Sequence, residues 1–308
     1  MRALVAAPGA EGGMELRDVP DPEPRSDQAV VRVYAVSLNR GECSALRTAD
    51  DGWRPGWDLA GEVVQAAADG SGPEPGTRVV GWVNGGSWAE RAAVRTDHLA
   101  GIPDELGFDE ASTLPVAGLT ALGTLGLAGS LFGARVLITG GAGGVGRFAI
   151  QLAHRAGAHV TAVVGRPERG RGLAELGADE VVVGVEPEGP PFDLVLESVG
   201  GTSFAAAVAR LAPEGLLVSF GNSSNEPTTF DPRTLYRKGA PRIEGFFVTW
   251  LLLHGRLGSR ELGYLAGLAA SGGLRTGLAL RVDWSDAVSA VAALMERRVD
   301  GKAVLTLG

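Results

Sequence analysis

Apolar residues in the first hundred positions come in short runs, each cut off by glycine, proline or charge. Residues 2–6, 28–37, 59–66, 78–83 and 87–94 are runs of this kind, and 30–36 is close to continuous Val, Tyr and Ala. Runs of that length predict strands, with 28–37 buried. The stretch GSGPEPG at 70–76 predicts a turn or loop. No long helix is expected there, so this part reads as β-rich. From about residue 108 the period changes. A helix is predicted over 111–125 and strands over 136–139, 159–164, 180–183, 193–196, 215–220 and 243–248. Strands alternating with helical segments imply a parallel, doubly wound α/β sheet. The chain closes with a strand at 278–282, a helix and a strand at 303–307. Ser285 is expected to cap that helix, whose apolar face is Val288, Val291, Ala292 and Met295.

The most informative segment is RVLITGGAGGVG, residues 135–146. Gly141, Gly143 and Gly146 stand at G-x-G-x-x-G spacing between a predicted strand and a predicted helix, a context far more specific than the spacing alone. In that helix Val145, Phe148, Ala149, Leu152, Ala153 and Ala156 share one face, and Gly157 is placed to stop it. Glycines there let the backbone turn tightly and approach a pyrophosphate, whose charge rests on the N–H groups of the helix start. A carboxylate at the end of the next strand would hold the ribose 2′-hydroxyl of NAD. Instead the strand runs into Gly165, Arg166, Pro167, Glu168 and Arg169. Two guanidinium groups suit a 2′-phosphate, which points to NADP(H), although Glu168 could pair with either arginine.

With 308 residues, 45% hydrophobic and 21% charged, the chain is expected to form two globular domains. A net charge of −8 argues against nucleic-acid or anionic-membrane partners. Cys43 is the only cysteine, so no intramolecular disulfide can form, and the four histidines make no ligand pair; no metal site is expected. Lys238 and Lys302 are the only lysines. The N-terminus reads as neither signal peptide nor membrane span, and FFVTWLLL at 246–253 is too short to cross a bilayer, so a cytoplasmic enzyme is expected.

Seven segments in order carry a resemblance: SLNRGE (37–42), GWDLAGEVV (56–64), LPVAGLTA (114–121), TGGAGGVGRFAIQLA (139–153), ESVGG (197–201), GLLVSFGNSS (215–224) and GKAVLTLG (301–308). Together they resemble the zinc-independent quinone oxidoreductase branch of the medium-chain dehydrogenase/reductase superfamily. The resemblance implies a β-rich GroES-like catalytic domain, residues 1–108 and 273–308, interrupted by a Rossmann dinucleotide-binding domain, residues 109–272. It implies hydride transfer from NADPH to a quinone or an α,β-unsaturated carbonyl.

By the same resemblance Gly143, Gly144, Val145 and Gly146 would cradle the pyrophosphate, and Gly165, Arg166 and Arg169 would face the adenosine phosphate. Ser198 and Val199 would flank the adenosine, with Phe220, Gly221 and Asn222 lining the path to the nicotinamide. Asn39, Thr120, Phe246, Phe247 and Val248 would neighbour the ring, and Lys302 would be a further contact. Trp53 and Trp57 would lie over the ring, where indoles could stack on a planar acceptor.

The departures are a stretch with one cysteine and no histidine where zinc-dependent relatives carry ligands, no Tyr in the loop 46–54 and glycine at 184. No acid–base residue stands out. Asn39 could hydrogen-bond a substrate oxygen; Arg40, Asp50 or Asp58 could sit close, or each could be satisfied locally. Two alternatives stay open. One is a tailoring enoyl or ketone reductase of secondary metabolism; the other is a nucleotide-binding protein without redox turnover, such as a sensor, scaffold or non-redox cyclase. A homodimer is expected, with 243–248 pairing across a two-fold axis.

Overall fold

The structure, a computed structural model, describes residues 1–237 and 239–308 and leaves Lys238 outside. The chain divides into two compact units, residues 1–119 with 249–308 and residues 120–248. The boundaries expected from sequence were 108/109 and 272/273; residues 109–119 and 249–272 pack with the first unit. Two contacts within that unit show why. Buried His98 has its Nε2 3.1 Å from the Leu252 carbonyl, and a Cβ on Gly118 would lie 2.9 Å from the Leu265 side chain. Burial holds His98 below the usual imidazole range, so the ring is neutral and donates that bond.

The first unit is built on a seven-stranded sheet around Gln28–Ser37. That strand pairs antiparallel with Lys302–Thr306, Asp58–Gln65 and Arg91–Arg95, which explains its nearly unbroken burial. Register decides the chemistry here. Val304 faces Ser37, and Ala60 faces Ala35. Lys302, Ser37 and Asp58 therefore arrive at one end of the sheet. A separate hairpin pairs Arg2–Ala6 with Met14–Asp18. The core collects Val31, Val36, Leu59, Val63, Trp88, Trp284 and Leu305.

The second unit is a six-stranded sheet in which every neighbouring pair is parallel. Its order is Glu180–Val183, His159–Val164, Arg135–Ile138, Phe192–Glu197, Leu211–Ser219, Arg242–Gly245. In the unit's own numbering that is 3-2-1-4-5-6, the doubly wound order. The order reverses between Arg135–Ile138 and Phe192–Glu197, and ligands of such sheets bind beyond the carboxyl ends at that point.

Several elements differ from expectation for local reasons. The helix over 111–125 is two, Phe108–Ser112 and Pro115–Gly126, because Pro115 starts a new helix and disfavours helical backbone at Leu114. The strand over 243–248 stops at Gly245, and Val248–Leu253 is helical. Ser285 does not cap the late helix. Asp283 instead accepts from the Ser285 N–H at 2.9 Å in a 3₁₀ turn, and the helix runs Ala287–Met295. Among the described residues no helix is long and apolar enough to cross a membrane.

Candidate functional site

In the second unit the strand Arg135–Ile138 feeds a glycine turn and then the helix Gly144–Arg155. Gly140 takes a left-handed φ of 63°, the Gly141 N–H donates to the Val163 carbonyl at 2.9 Å, and the Gly143 N–H donates to the Gly140 carbonyl at 2.9 Å. Gly146 seats the helix on this turn: a Cβ there would lie 2.5 Å from the Gly140 oxygen and 2.7 Å from the Gly141 Cα. The helix buries Phe148, Ala149, Leu152 and Ala153 as expected, whereas Val145 is half-buried and Ala156 exposed. Its cap, Gly143, has no side chain to satisfy the first N–H groups, and Gly144, Val145 and Gly146 have no intrahelical acceptor. An N-terminus left this way suits an anion.

A buried carboxylate ties the neighbouring loop to this turn. Glu197 is wholly buried and accepts from the Val199 N–H at 3.1 Å, the Gly200 N–H at 3.0 Å and the Ser203 hydroxyl at 3.1 Å. Burial pushes its carboxyl up, and those donors oppose the shift. The Ser198 N–H donates to Thr139 Oγ1 at 2.9 Å, and a Cβ on Gly221 would sit 3.2 Å from the Ser198 oxygen. The structure thus brings the glycine turn, Ser198, Val199 and Gly221 together, with Phe220 adjacent in chain and Asn222 exposed. Gly165 and Arg166 are exposed at the end of His159–Val164, and a Cβ on Gly165 would meet nothing within 4 Å. Arg169 is half-buried. Phe246 and Val248 are buried, Phe247 is exposed, and Thr120 is buried in the helix that begins at Pro115.

The first unit carries a charged cluster. Asp58, wholly buried, accepts from the Ser37 hydroxyl at 2.6 Å, Asn39 Nδ2 at 2.8 Å, the Val116 N–H at 2.9 Å and Lys302 Nζ at 3.4 Å. Lys302 also donates to the Leu38 carbonyl at 3.0 Å and Asn39 Oδ1 at 2.7 Å. Asn39 Nδ2 donates in addition to Glu42 Oε1 at 3.1 Å. Both hydrogens of that amide are committed, so Asn39 cannot donate to a substrate oxygen without breaking a bond to a carboxyl group.

Arg40 is drawn off to the Leu294 and Met295 carbonyls, at 3.0 and 3.4 Å, where it closes the helix Ala287–Met295. Asp50 is exposed. Trp57 packs on the backbone of Gly41, where a Cβ would lie 2.6 Å from the ring, and Trp53 packs against the first unit's core. Sequence reasoning missed Glu42 and Ser37. The spacing N-x-x-E at 39–42 was the available signal, since Glu42 reaches back to the Asn39 N–H at 2.7 Å.

A family model described as an alcohol dehydrogenase GroES-like domain matches residues 25–104, and one described as a zinc-binding dehydrogenase matches residues 144–250. Among the described residues no group of three His, Cys, Asp or Glu side chains is placed to hold a metal ion. The chain is 30% identical to a chloroplastic quinone oxidoreductase of Triphysaria versicolor, over 96% of this chain and 95% of that protein. It resembles the solved quinone oxidoreductase of Coxiella burnetii at 27% identity and a TM-score of 0.85, covering 100% of this chain and 99% of the other. The Escherichia coli quinone oxidoreductase complexed with NADPH superposes with a TM-score of 0.87 over 100% of both chains at 21% identity, a likeness of fold.

Proposed function

The chain belongs to the quinone oxidoreductase branch of the medium-chain dehydrogenase/reductase superfamily, and on that premise we propose that it is an NADPH-dependent, zinc-independent reductase of quinones or α,β-unsaturated carbonyls. One observation carries the reading: a glycine cradle with uncapped helix N–H groups lies where the order of a six-stranded parallel sheet reverses. When bound, the cofactor supplies the hydride. Gly143, Gly144, Val145 and Gly146 hold the pyrophosphate, and Ser198 and Val199 flank the adenosine. Phe220, Gly221 and Asn222 line the way to the ring, which Thr120, Phe246, Phe247 and Val248 border. By the resemblance alone, Asn39 and Lys302 are offered as further cofactor contacts and Trp53 and Trp57 as acceptor contacts. Without a metal, the protein's part is to position the reactants and keep water out.

NADPH is preferred because Arg166 and Arg169 follow a strand whose end offers open space at Gly165 and no carboxylate. The purified protein is expected to oxidise NADPH with at least one acceptor in a panel of small quinones and enones, moving deuteride from C4 of labelled cofactor. Arg166→Ala and Arg169→Ala should each lower kcat/KM for NADPH by roughly tenfold and leave that for NADH unchanged. Tight NADPH binding without turnover on any acceptor would refute the reductase reading. Equal losses for both cofactors would refute the phosphate contact.

We also propose a homodimer joined at the edge strand Arg242–Gly245, which among the described residues pairs on one side only and is largely exposed. Light scattering should give about twice the 31.6 kDa chain mass, and Ile243→Pro should shift it to the single chain. A monomeric wild type rejects the idea.

A further inference from the structure

Within the first unit Arg54 is a guanidinium without an anion. Exposed Arg2, Arg91 and Arg95 pair with Glu90, Asp21 and Asp97. Arg54 is half-buried, yet among the described residues it forms no ion pair. Its one hydrogen bond, from Nη2 to the Gly86 carbonyl, is stretched to 3.5 Å, and its Nε is buried with no acceptor. Burial holds the group below the usual guanidinium range, and no neighbouring charge opposes that. The carboxyl groups of this unit that could answer it are spent elsewhere. Asp51, in the same loop, holds both Nη atoms of Arg17, at 3.0 and 2.7 Å. Asp58 has four donors of its own, and burial, then Asp58, push Glu42 up to about 8. A cation taken partly out of water with its donors unmet is a cost that packing does not explain.

The backbone that carries Arg54 is fixed. The Trp53 carbonyl accepts from the Ala6 N–H at 2.8 Å, the Pro55 carbonyl from the Gly86 N–H at 3.0 Å and the Trp57 carbonyl from the Val83 N–H at 2.9 Å. The guanidinium rests on Gly86, whose φ is 87° and where a Cβ would lie 3.7 Å from Arg54 Cζ. Among the described residues Nη1 has no acceptor, and unlike Nε it is not shut away from solvent. We propose that Arg54 is a specificity-determining residue that binds the carboxylate of an acidic acceptor, a quinone or enone with a carboxyl group on a side chain. Nη1 and Nη2 present parallel N–H bonds, the fork that two carboxylate oxygens match. With a net charge of −8 the chain as a whole repels an acid, so a local cation is what admits one. This rests on the proposed function, which takes Trp53 and Trp57, on either side of Arg54 in the chain, as acceptor contacts. All three residues belong to the first unit.

The test titrates the full chain by calorimetry at neutral pH with a naphthoquinone bearing a propanoate side chain and with the methyl ester of that compound. Wild type is expected to bind the acid about tenfold tighter than the ester. Arg54→Gln, a donor without charge, should bring that ratio close to one. Arg54→Lys, a charge without the fork, should leave it between the two. Equal affinities in wild type, no binding of the acid, or a wild-type ratio in Arg54→Gln overturns the proposal. Should Arg54→Gln fail to fold, the wild-type ratio and Arg54→Lys decide. Reduction of both compounds by NADPH is followed alongside. An acid that binds with preference and is never reduced, with no other acceptor turned over, sinks the proposed function and leaves the carboxylate site standing. Reduction of both compounds with no preference in binding sinks only the role of Arg54.

Discussion

Gly146→Ala is expected to weaken NADPH binding by roughly a hundredfold while the second unit keeps its sheet. The added methyl would sit 2.5 Å from the Gly140 carbonyl oxygen and 2.7 Å from the Gly141 Cα. Both are backbone atoms of the turn, so no side chain can swing away to make room. The helix start must lift, at a cost of about 1–3 kcal/mol in packing. The N–H groups of Gly144, Val145 and Gly146 move with it. Losing two charge-assisted bonds to a pyrophosphate at about 1.5 kcal/mol each accounts for the hundredfold. Gly141→Ala should be milder, because its methyl would meet the Ala162 and Leu173 side chains at 3.2 and 3.5 Å as well as the Val163 carbonyl at 3.4 Å. Gly165→Ala should leave folding untouched, since nothing lies within 4 Å. Calorimetric titration with NADPH, beside circular dichroism to confirm the fold, checks the series. Wild-type affinity in Gly146→Ala would remove the cradle from the binding account.

That cradle was legible in sequence because its chemistry is local. Gly141, Gly143 and Gly146 are needed within six residues of one another, and the flanking strand and helix announce themselves by their own periodicity. The alternation of strand and helix after residue 108 likewise predicted a parallel sheet. Its order 3-2-1-4-5-6 was not readable, because strand neighbours are chosen by pairing between distant segments. The expected strand over 243–248 failed at Gly245 for a related reason: a short apolar run such as FFVTWLLL serves a buried helix as well as a strand.

The cluster at Asp58 was the least legible part. Asp58 lies 244 positions from Lys302, and they meet only because the last strand pairs with Gln28–Ser37 in a register that sets Val304 against Ser37. Nothing near Lys302 in the chain signals a buried ammonium. From sequence Asp58 could either sit close to a substrate or be satisfied locally, and its four donors within the chain show the second. Only the three-residue step from Asn39 to Glu42 was a local sign, and a capping pair is common enough that it does not by itself announce a site.

Lys302→Met should cost on the order of 3–5 kcal/mol, the penalty of leaving a buried partner charge uncompensated. Lys302 is 3% exposed and Asp58 0%, so solvent screens their attraction little. Met matches the length of the stem but offers no donor to Asp58, Asn39 Oδ1 or the Leu38 carbonyl. The dependence on pH has a definite sign. In the folded chain Glu42 keeps a proton up to about pH 8, whereas in the unfolded chain it releases it near the ordinary value of 4.5. Between those values the folded state binds the extra proton, so the stability Glu42 contributes is fully present below 4.5 and is lost as pH rises to about 8. For one proton the slope is at most about 1.4 kcal/mol per pH unit. The Lys302 ammonium pulls Glu42 down, so removing it should carry that decline to higher pH. Urea unfolding of wild type, Lys302→Met and Glu42→Gln over this range separates the effects. Wild type should lose stability with rising pH, Lys302→Met should start lower and keep falling past pH 8, and Glu42→Gln should lack this part of the slope. If Lys302→Met matches wild type at every pH, the ammonium does not stabilise the two carboxyl groups, and the Asn39 amide is held by something else.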